Sequence, residues 1–245
     1  MSETEVVLQA ENITKLYGGL RAIDNASITL KKNEILGLIG PNGAGKTTMF
    51  NMISGTVPLT SGKIIVRGEQ IHKPVAYKMS ALGIGRTYQI VQPFLNLSVV
   101  ENTMVGAFLH TNNTKEAREK SMEVLKFLGL EKKAEVSGKN LALVDLKRME
   151  VARALASEPT ILLLDEVMAG LTPTDRELVM DMIRDINKAG ISIIIIEHVM
   201  RAVMGLCERV YVLNEGKIIA EGTPNEITNN REVIESYLGR EKAHA

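Results

Sequence analysis

Ile35-Leu36-Gly37-Leu38-Ile39-Gly40-Pro41-Asn42-Gly43-Ala44-Gly45-Lys46-Thr47-Thr48 joins an apolar run to a glycine-rich loop and then to a helical segment that Gly55 closes. Residues 35–39 are apolar on both alternating faces, the pattern of a parallel strand covered on both sides. Gly40 to Thr47 have phosphate-loop spacing in the strand-to-helix context that such a loop requires. In this pattern glycines let backbone N–H groups turn inward around phosphate oxygens, and the helix N-terminus adds its positive end. Lys46 is expected to reach the terminal phosphates and Thr47 to ligate Mg²⁺.

Two more runs, residues 161–164 and 191–196, repeat the doubly buried strand pattern. Between them residues 174–188 carry a helical stripe of Val179, Met182, Ile183 and Ile186, with capping-box spacing at Thr174 and Glu177 and a stop at Gly190. The strand at 161–164 ends in Asp165-Glu166, and the carboxyl end of a strand is where an open α/β sheet places its ligands. Asp165 is expected to help hold Mg²⁺, and Glu166 to polarise a water attacking a terminal phosphate. Residues 6–12, 22–30 and 62–67 alternate in polarity between Gly, Asn and Lys turns, which predicts an antiparallel sheet beside the parallel core. From about 98 to 157 the reading is helical, with Ser98 as N-cap of 99–108 and a charged amphipathic helix at 115–127. A hairpin of 210–213 and 217–220, turning at Asn214-Glu215-Gly216, precedes a polar helical tail.

The chain has 245 residues and 45% apolar content, enough for one sizeable core with a smaller subdomain. Lys plus Arg and Asp plus Glu both number 29, so no global field favours nucleic acid or an anionic membrane. Cys207 is the only cysteine, which excludes an internal disulfide and fits a reducing, cytoplasmic setting. The N-terminus does not read as a secretory signal, and no apolar run is long enough to span a bilayer.

With these motifs in place the chain resembles the ABC ATPases over nearly all its length. Further phrases carry the likeness: Tyr17 in Lys15-Leu16-Tyr17-Gly18-Gly19, Arg86-Thr87-Tyr88-Gln89, Ala169-Gly170-Leu171-Thr172-Pro173 and Ile196-Glu197-His198. The resemblance implies an α/β P-loop NTPase with a mixed parallel core sheet and an N-terminal antiparallel β subdomain. It implies one domain over 1–245 with a helical subdomain inserted at about 90–157. By the same resemblance ATP is held by Tyr17, stacked on adenine, and by Gly40, Pro41, Asn42, Gly43, Ala44, Gly45, Lys46, Thr47 and Thr48. Mg²⁺ would be held by Thr47, Gln89 and Asp165, and hydrolysis carried by Glu166, His198 and Gln89.

The finer likeness is to the ATP-binding subunits of branched-chain amino-acid importers, through the loop phrases above and Gly216-Lys217-Ile218-Ile219-Ala220-Glu221-Gly222-Thr223-Pro224. Lipopolysaccharide-export ATPases and importers of urea and other amides share several of these phrases. A low-turnover regulatory nucleotide-binding subunit is a further alternative. The resemblance implies a second ABC ATPase subunit, in a heterodimer or a homodimer, and integral-membrane permeases. A solute-binding protein outside the membrane would act indirectly, nucleic acid is not a partner, and the site of action is the cytoplasmic face of the membrane. Val91, Phe94 and Leu95, within residues 90–97, are candidates for permease contact.

One segment departs from the family pattern. Where the signature Leu-Ser-Gly-Gly-Gln is expected, the chain has Leu141-Ala142-Leu143-Val144-Asp145. Ala142 lacks the serine hydroxyl, Val144 puts a branched side chain where glycine allows close approach, and two readings of Asp145 stand. It either brings negative charge toward a phosphate or caps a helix over 146–156. Val167 stands where the family often has proline.

Overall fold

The computed structural model describes residues 5–89 and 93–238. In chain order these form β1 (Val6–Tyr17), β2 (Leu20–Lys31), β3 (Ile35–Ile39), α1 (Lys46–Ile53), β4 (Ser61–Val66), β5 (Glu69–Ile71), α2 (Ala76–Ala81) and β6 (Ile84–Arg86). Three longer helices follow, α3 (Val99–Ala107), α4 (Thr114–Phe127) and α5 (Leu143–Leu155). The chain then returns through β7 (Ile161–Asp165), α6 (Pro173–Lys188), β8 (Ser192–Ile196), α7 (Met200–Leu206), β9 (Arg209–Asn214) and β10 (Lys217–Gly222). It ends in α8 (Pro224–Thr228) and α9 (Arg231–Leu238).

The doubly apolar runs become the middle of one sheet, ordered β10-β9-β3-β8-β7-β6, in which only β10 runs antiparallel to its neighbour. Their alternation separates two cores. Ile35, Ile39, Leu162, Leu164, Ile193 and Ile195 face a cluster with the helices α3 to α7. Leu36, Leu38, Ile161, Leu163, Ile194 and Ile196 face the other cluster, with α1 and the antiparallel sheet β2-β1-β4-β5. Each buried Leu or Ile of this kind contributes roughly 1.5–3 kcal/mol.

Several boundaries differ from the sequence reading. β1 does not stop at Asn12: that residue takes φ 50° and the register shifts, so the ladder passes through a bulge and runs on to Tyr17. Helix α6 is capped by Thr172, whose hydroxyl accepts the Asp175 N–H at 3.2 Å, rather than by Thr174. Pro173 explains the shift, because its fixed φ and missing N–H suit the first helical position. Thr172→Ala is therefore expected to cost about 1 kcal/mol in urea unfolding, and Thr174→Ala to change the midpoint little. Helix α5 begins at Leu143, three residues before the expected start, with Ala142 at its N-cap and no side-chain cap. Among the described residues no helix is long and apolar enough to cross a membrane.

Candidate active site

The loop after β3 curls because its glycines adopt conformations that side chains resist. Gly43 and Gly45 have φ 77° and 109°, and a Cβ on Gly45 would lie 2.6 Å from the Ala22 carbonyl oxygen. The loop is braced from outside by the β9–β10 turn: Gly216 donates to the Ala44 carbonyl at 2.9 Å and Asp24 to the Gly216 carbonyl at 2.8 Å. From the other end of the chain, α9 brings Tyr237 to the loop, where burial pushes its phenol up and a hydrogen bond with the Gly40 backbone opposes the shift. Lys46 is buried and folds back over the loop, donating to the Gly40 and Pro41 carbonyls at 2.8 and 3.0 Å.

Around this loop lies an open cleft of about 650 Å³, lined by Tyr17, Asn42, Lys46, Thr47, Gln89 and Glu166 from four separate segments. Tyr17, at the end of β1, is 46% exposed and lines the cleft beside the P-loop, with Lys15 Nζ over its ring 5.0 Å from the centroid. Glu166 is the first residue past β7 and takes φ 48°, a left-handed conformation that costs about 1–2 kcal/mol for a residue with a Cβ. Its N–H is held by the Ile196 carbonyl of β8 at 3.0 Å. Its carboxylate accepts the Gln89 side-chain amide at 2.9 Å and lies 3.9 Å from His198 Nδ1. The sequence-predicted residues of three loops thus meet at one carboxylate, Gln89 through a hydrogen bond and His198 within 3.9 Å.

Asp165 sits one residue back and is 0% exposed. Among the described residues neither of its carboxylate oxygens has a hydrogen-bond partner, and its ion pair is with Arg86 at 3.5 Å. Burial pushes its carboxyl up, while the Arg86 guanidinium opposes the shift. A buried carboxylate whose oxygens accept no hydrogen bond among the described residues and meet only the Arg86 guanidinium, beside a glycine cradle, fits a divalent cation with a polyphosphate. Arg86 also donates to the Asn51 and Ser54 side chains of the P-loop helix region at 2.7 and 2.8 Å, joining β6 to α1.

A family profile described as "ABC transporter" matches residues 23–169, and one described as "Branched-chain amino acid ATP-binding cassette transporter" matches residues 217–243. The chain belongs to the ABC transporter ATP-binding proteins. It is therefore an ATPase subunit of the LivG-like branch, with the cassette architecture of an antiparallel sheet beside a mixed core sheet. LivG of Salmonella typhimurium, a high-affinity branched-chain amino acid transport ATP-binding protein, is 37% identical over 252 residues, covering 96% of this chain and 99% of the relative. The lipopolysaccharide export system ATP-binding protein LptB of Haemophilus influenzae is 37% identical over 236 residues, covering 96% and 98%. Among solved structures, the ADP conformation of an ATP-binding cassette from an ABC transporter superposes with a TM-score of 0.88 at 29% identity, covering 96% of this chain and all of that one.

In this ABC ATPase the altered signature forms the start of α5, and both sequence readings of Asp145 need correction. Asp145 is not the cap: it lies in the first turn, buried, with its carboxylate paired to Lys133 and to Arg148 Nη1 at 3.3 Å. Its negative charge is offset within its own chain, so it is not an unpaired charge aimed at a phosphate. Val167 packs in the helical core, a role the sequence left open. Three functional-site neighbours escaped the sequence reading: Arg86 as partner of Asp165, and Lys147 and Glu150 on α5. The last two left a signal, since both fall on the stripe of Val151 and Ala154, where a buried helix face has no ordinary use for charge. Ile90, Val91 and Gln92 lie outside the described residues; Phe94 and Leu95 are exposed.

Proposed function

We propose that the chain is the motor of an importer of branched-chain amino acids, acting at the cytoplasmic face of the membrane on permeases that choose the solute. The observation that carries this reading is the match of the branched-chain amino acid transporter profile at residues 217–243, where a lipopolysaccharide-export reading has no such support. The identities to LivG and LptB are the same, so they do not separate the two.

Within the site, Lys46 and the loop Gly40 to Thr48 bind the phosphates of ATP, and Tyr17 stacks on the base. Thr47, Asp165 and Gln89 would hold Mg²⁺, which would supply positive charge against the negative charge developing on the phosphoryl oxygens. Glu166 orients the water that attacks the terminal phosphorus and accepts its proton as the new P–O bond forms and the bond to the ADP oxygen breaks, giving ADP and inorganic phosphate; His198 steadies the reacting water from the end of the neighbouring strand. The Gln89–Glu166 hydrogen bond couples the base to the loop that leads into the helical insertion. A groove of about 370 Å³ lies between that insertion and the core sheet, with Tyr88, Phe94 and Arg153 along it. Phe94 is 50% exposed, and this groove suits a permease loop.

The replaced Ala142, Leu143 and Val144 favour pairing with a different ATPase subunit, whose own signature completes this chain's P-loop site. Uptake of radiolabelled leucine, isoleucine and valine tests the solute. Cells lacking the chain are expected to lose most energised uptake and to regain it with wild type but not with Glu166→Gln. Unchanged uptake of all three amino acids together with accumulation of unexported lipopolysaccharide would overturn the reading in favour of an exporter.

A further inference from the structure

The ladder between β6 and β7 ends with Arg86 opposite Leu163. Thr87 extends it by donating its N–H to the Leu163 carbonyl at 2.9 Å and accepting the Asp165 N–H on its hydroxyl at 3.1 Å. Beyond Thr87, two charged side chains of α5 take over from the sheet. Glu150 Oε1 accepts the Tyr88 N–H at 3.1 Å. Lys147 Nζ donates to the Gln89 carbonyl at 3.2 Å and to the Glu166 carbonyl at 3.3 Å. Lys147 is 5% and Glu150 2% exposed.

Burying an ammonium and a carboxylate costs several kcal/mol each, about what an apolar side chain of similar length would avoid. What the charges give in return is a bond to each of three backbone groups that a methyl group cannot hold. Two of those groups belong to Gln89 and Glu166, whose side chains meet at 2.9 Å. One ammonium therefore spans the backbones of both residues from a third element.

We infer that Lys147 is a positioning residue for hydrolysis, with Glu150 as its companion: together they lock the start of the glutamine loop to α5 and fix Gln89 against Glu166. This inference rests on the proposed roles of those two residues. The helix that carries the pin begins at residue 143, one turn before Lys147, and its first residues replace the signature that the family applies to the opposite subunit's ATP. A displacement of α5 at the partner's nucleotide thus reaches Gln89 and Glu166 of this chain's own site through one side chain.

The test compares full-length Lys147→Met, which keeps length and loses the donors, with Lys147→Arg, which keeps donors. Two readouts are taken: hydrogen exchange of peptides covering residues 86–89 and 164–168, and kcat with KM for ATP in the assembled transporter. Lys147→Met is expected to lower kcat by about 10–10²-fold with KM little changed, the scale of a misplaced catalytic group, and to speed exchange in both peptides. Lys147→Arg is expected to restore most of kcat and the protection. Wild-type kcat and exchange in Lys147→Met would overturn the inference; so would equal losses of kcat, KM and unfolding midpoint in both variants, which mark a folding role. The exchange arm needs no turnover and decides by itself in an inactive preparation. A Glu166→Gln control that hydrolyses like wild type would instead sink the catalytic reading beneath it.

Discussion

Glu166→Gln is expected to lower steady-state ATP turnover of the assembled transporter by about 10²–10⁴-fold while leaving nucleotide affinity within a few-fold. The substitution is close to isosteric, and residue 166 is held through its own backbone as well as its carboxylate: its N–H is fixed by the Ile196 carbonyl at 3.0 Å and its carbonyl by the Lys147 ammonium at 3.3 Å. A glutamine oxygen can still accept the Gln89 amide, so the cluster and the left-handed turn at φ 48° survive the change. What is lost is the negative charge and basicity facing the water. In the proposed reading the phosphates are held by Lys46 and by backbone N–H groups of the glycine loop, so the substitution leaves the binding groups themselves unchanged. Turnover within threefold of wild type, in a preparation that binds ATP normally, would show that this carboxylate does not serve the reaction and would favour a regulatory subunit. Loss of binding together with turnover would instead mean that the residue supports the P-loop.

The parts of this molecule that were legible in the sequence are those whose signal is local. β3, β7 and β8 announce themselves because strands covered on both faces need apolar residues at consecutive positions, and the P-loop because its conformations require glycine at fixed offsets. Asp165 and Glu166 follow from the end of a strand. Errors arose where two local solutions compete and a neighbour chooses between them. Thr172 and Thr174 both precede a helix-forming run, and Pro173 settles the cap on the first. Asn12 has the character of a turn residue, yet the ladder with β2 and β4 carries the chain past it as a bulge. Asp145 fits a cap by type, but Lys133 and Arg148 draw its carboxylate into the protein. The grip of Lys147 on Gln89 and Glu166 was beyond local reading, since it joins three segments far apart in the chain.

Gly40→Ala is expected to destabilise the protein by about 2–6 kcal/mol, from overpacking of about 1–3 kcal/mol and backbone strain of similar size. A Cβ at this position would lie 2.0 Å from the Leu213 carbonyl oxygen, with φ at +153°. The obstacle is backbone of β9, an interior strand of the core sheet bonded to both β3 and β10, so it cannot swing aside as a side chain would. Relief requires the first turn of the P-loop to move outward, which also breaks the Lys46 contacts to the Gly40 and Pro41 carbonyls. Nucleotide affinity should therefore fall with stability. Gly18→Ala is the control: its φ is +56° but nothing lies within 4 Å of the added carbon, so it should pay only the left-handed penalty of about 1–2 kcal/mol. The comparison is read from urea unfolding of the two full-length variants beside wild type. A Gly40→Ala loss no larger than that of Gly18→Ala would mean that β9 yields at Leu213, and that the glycine at the head of the loop is required by the phosphate it faces rather than by the strand behind it.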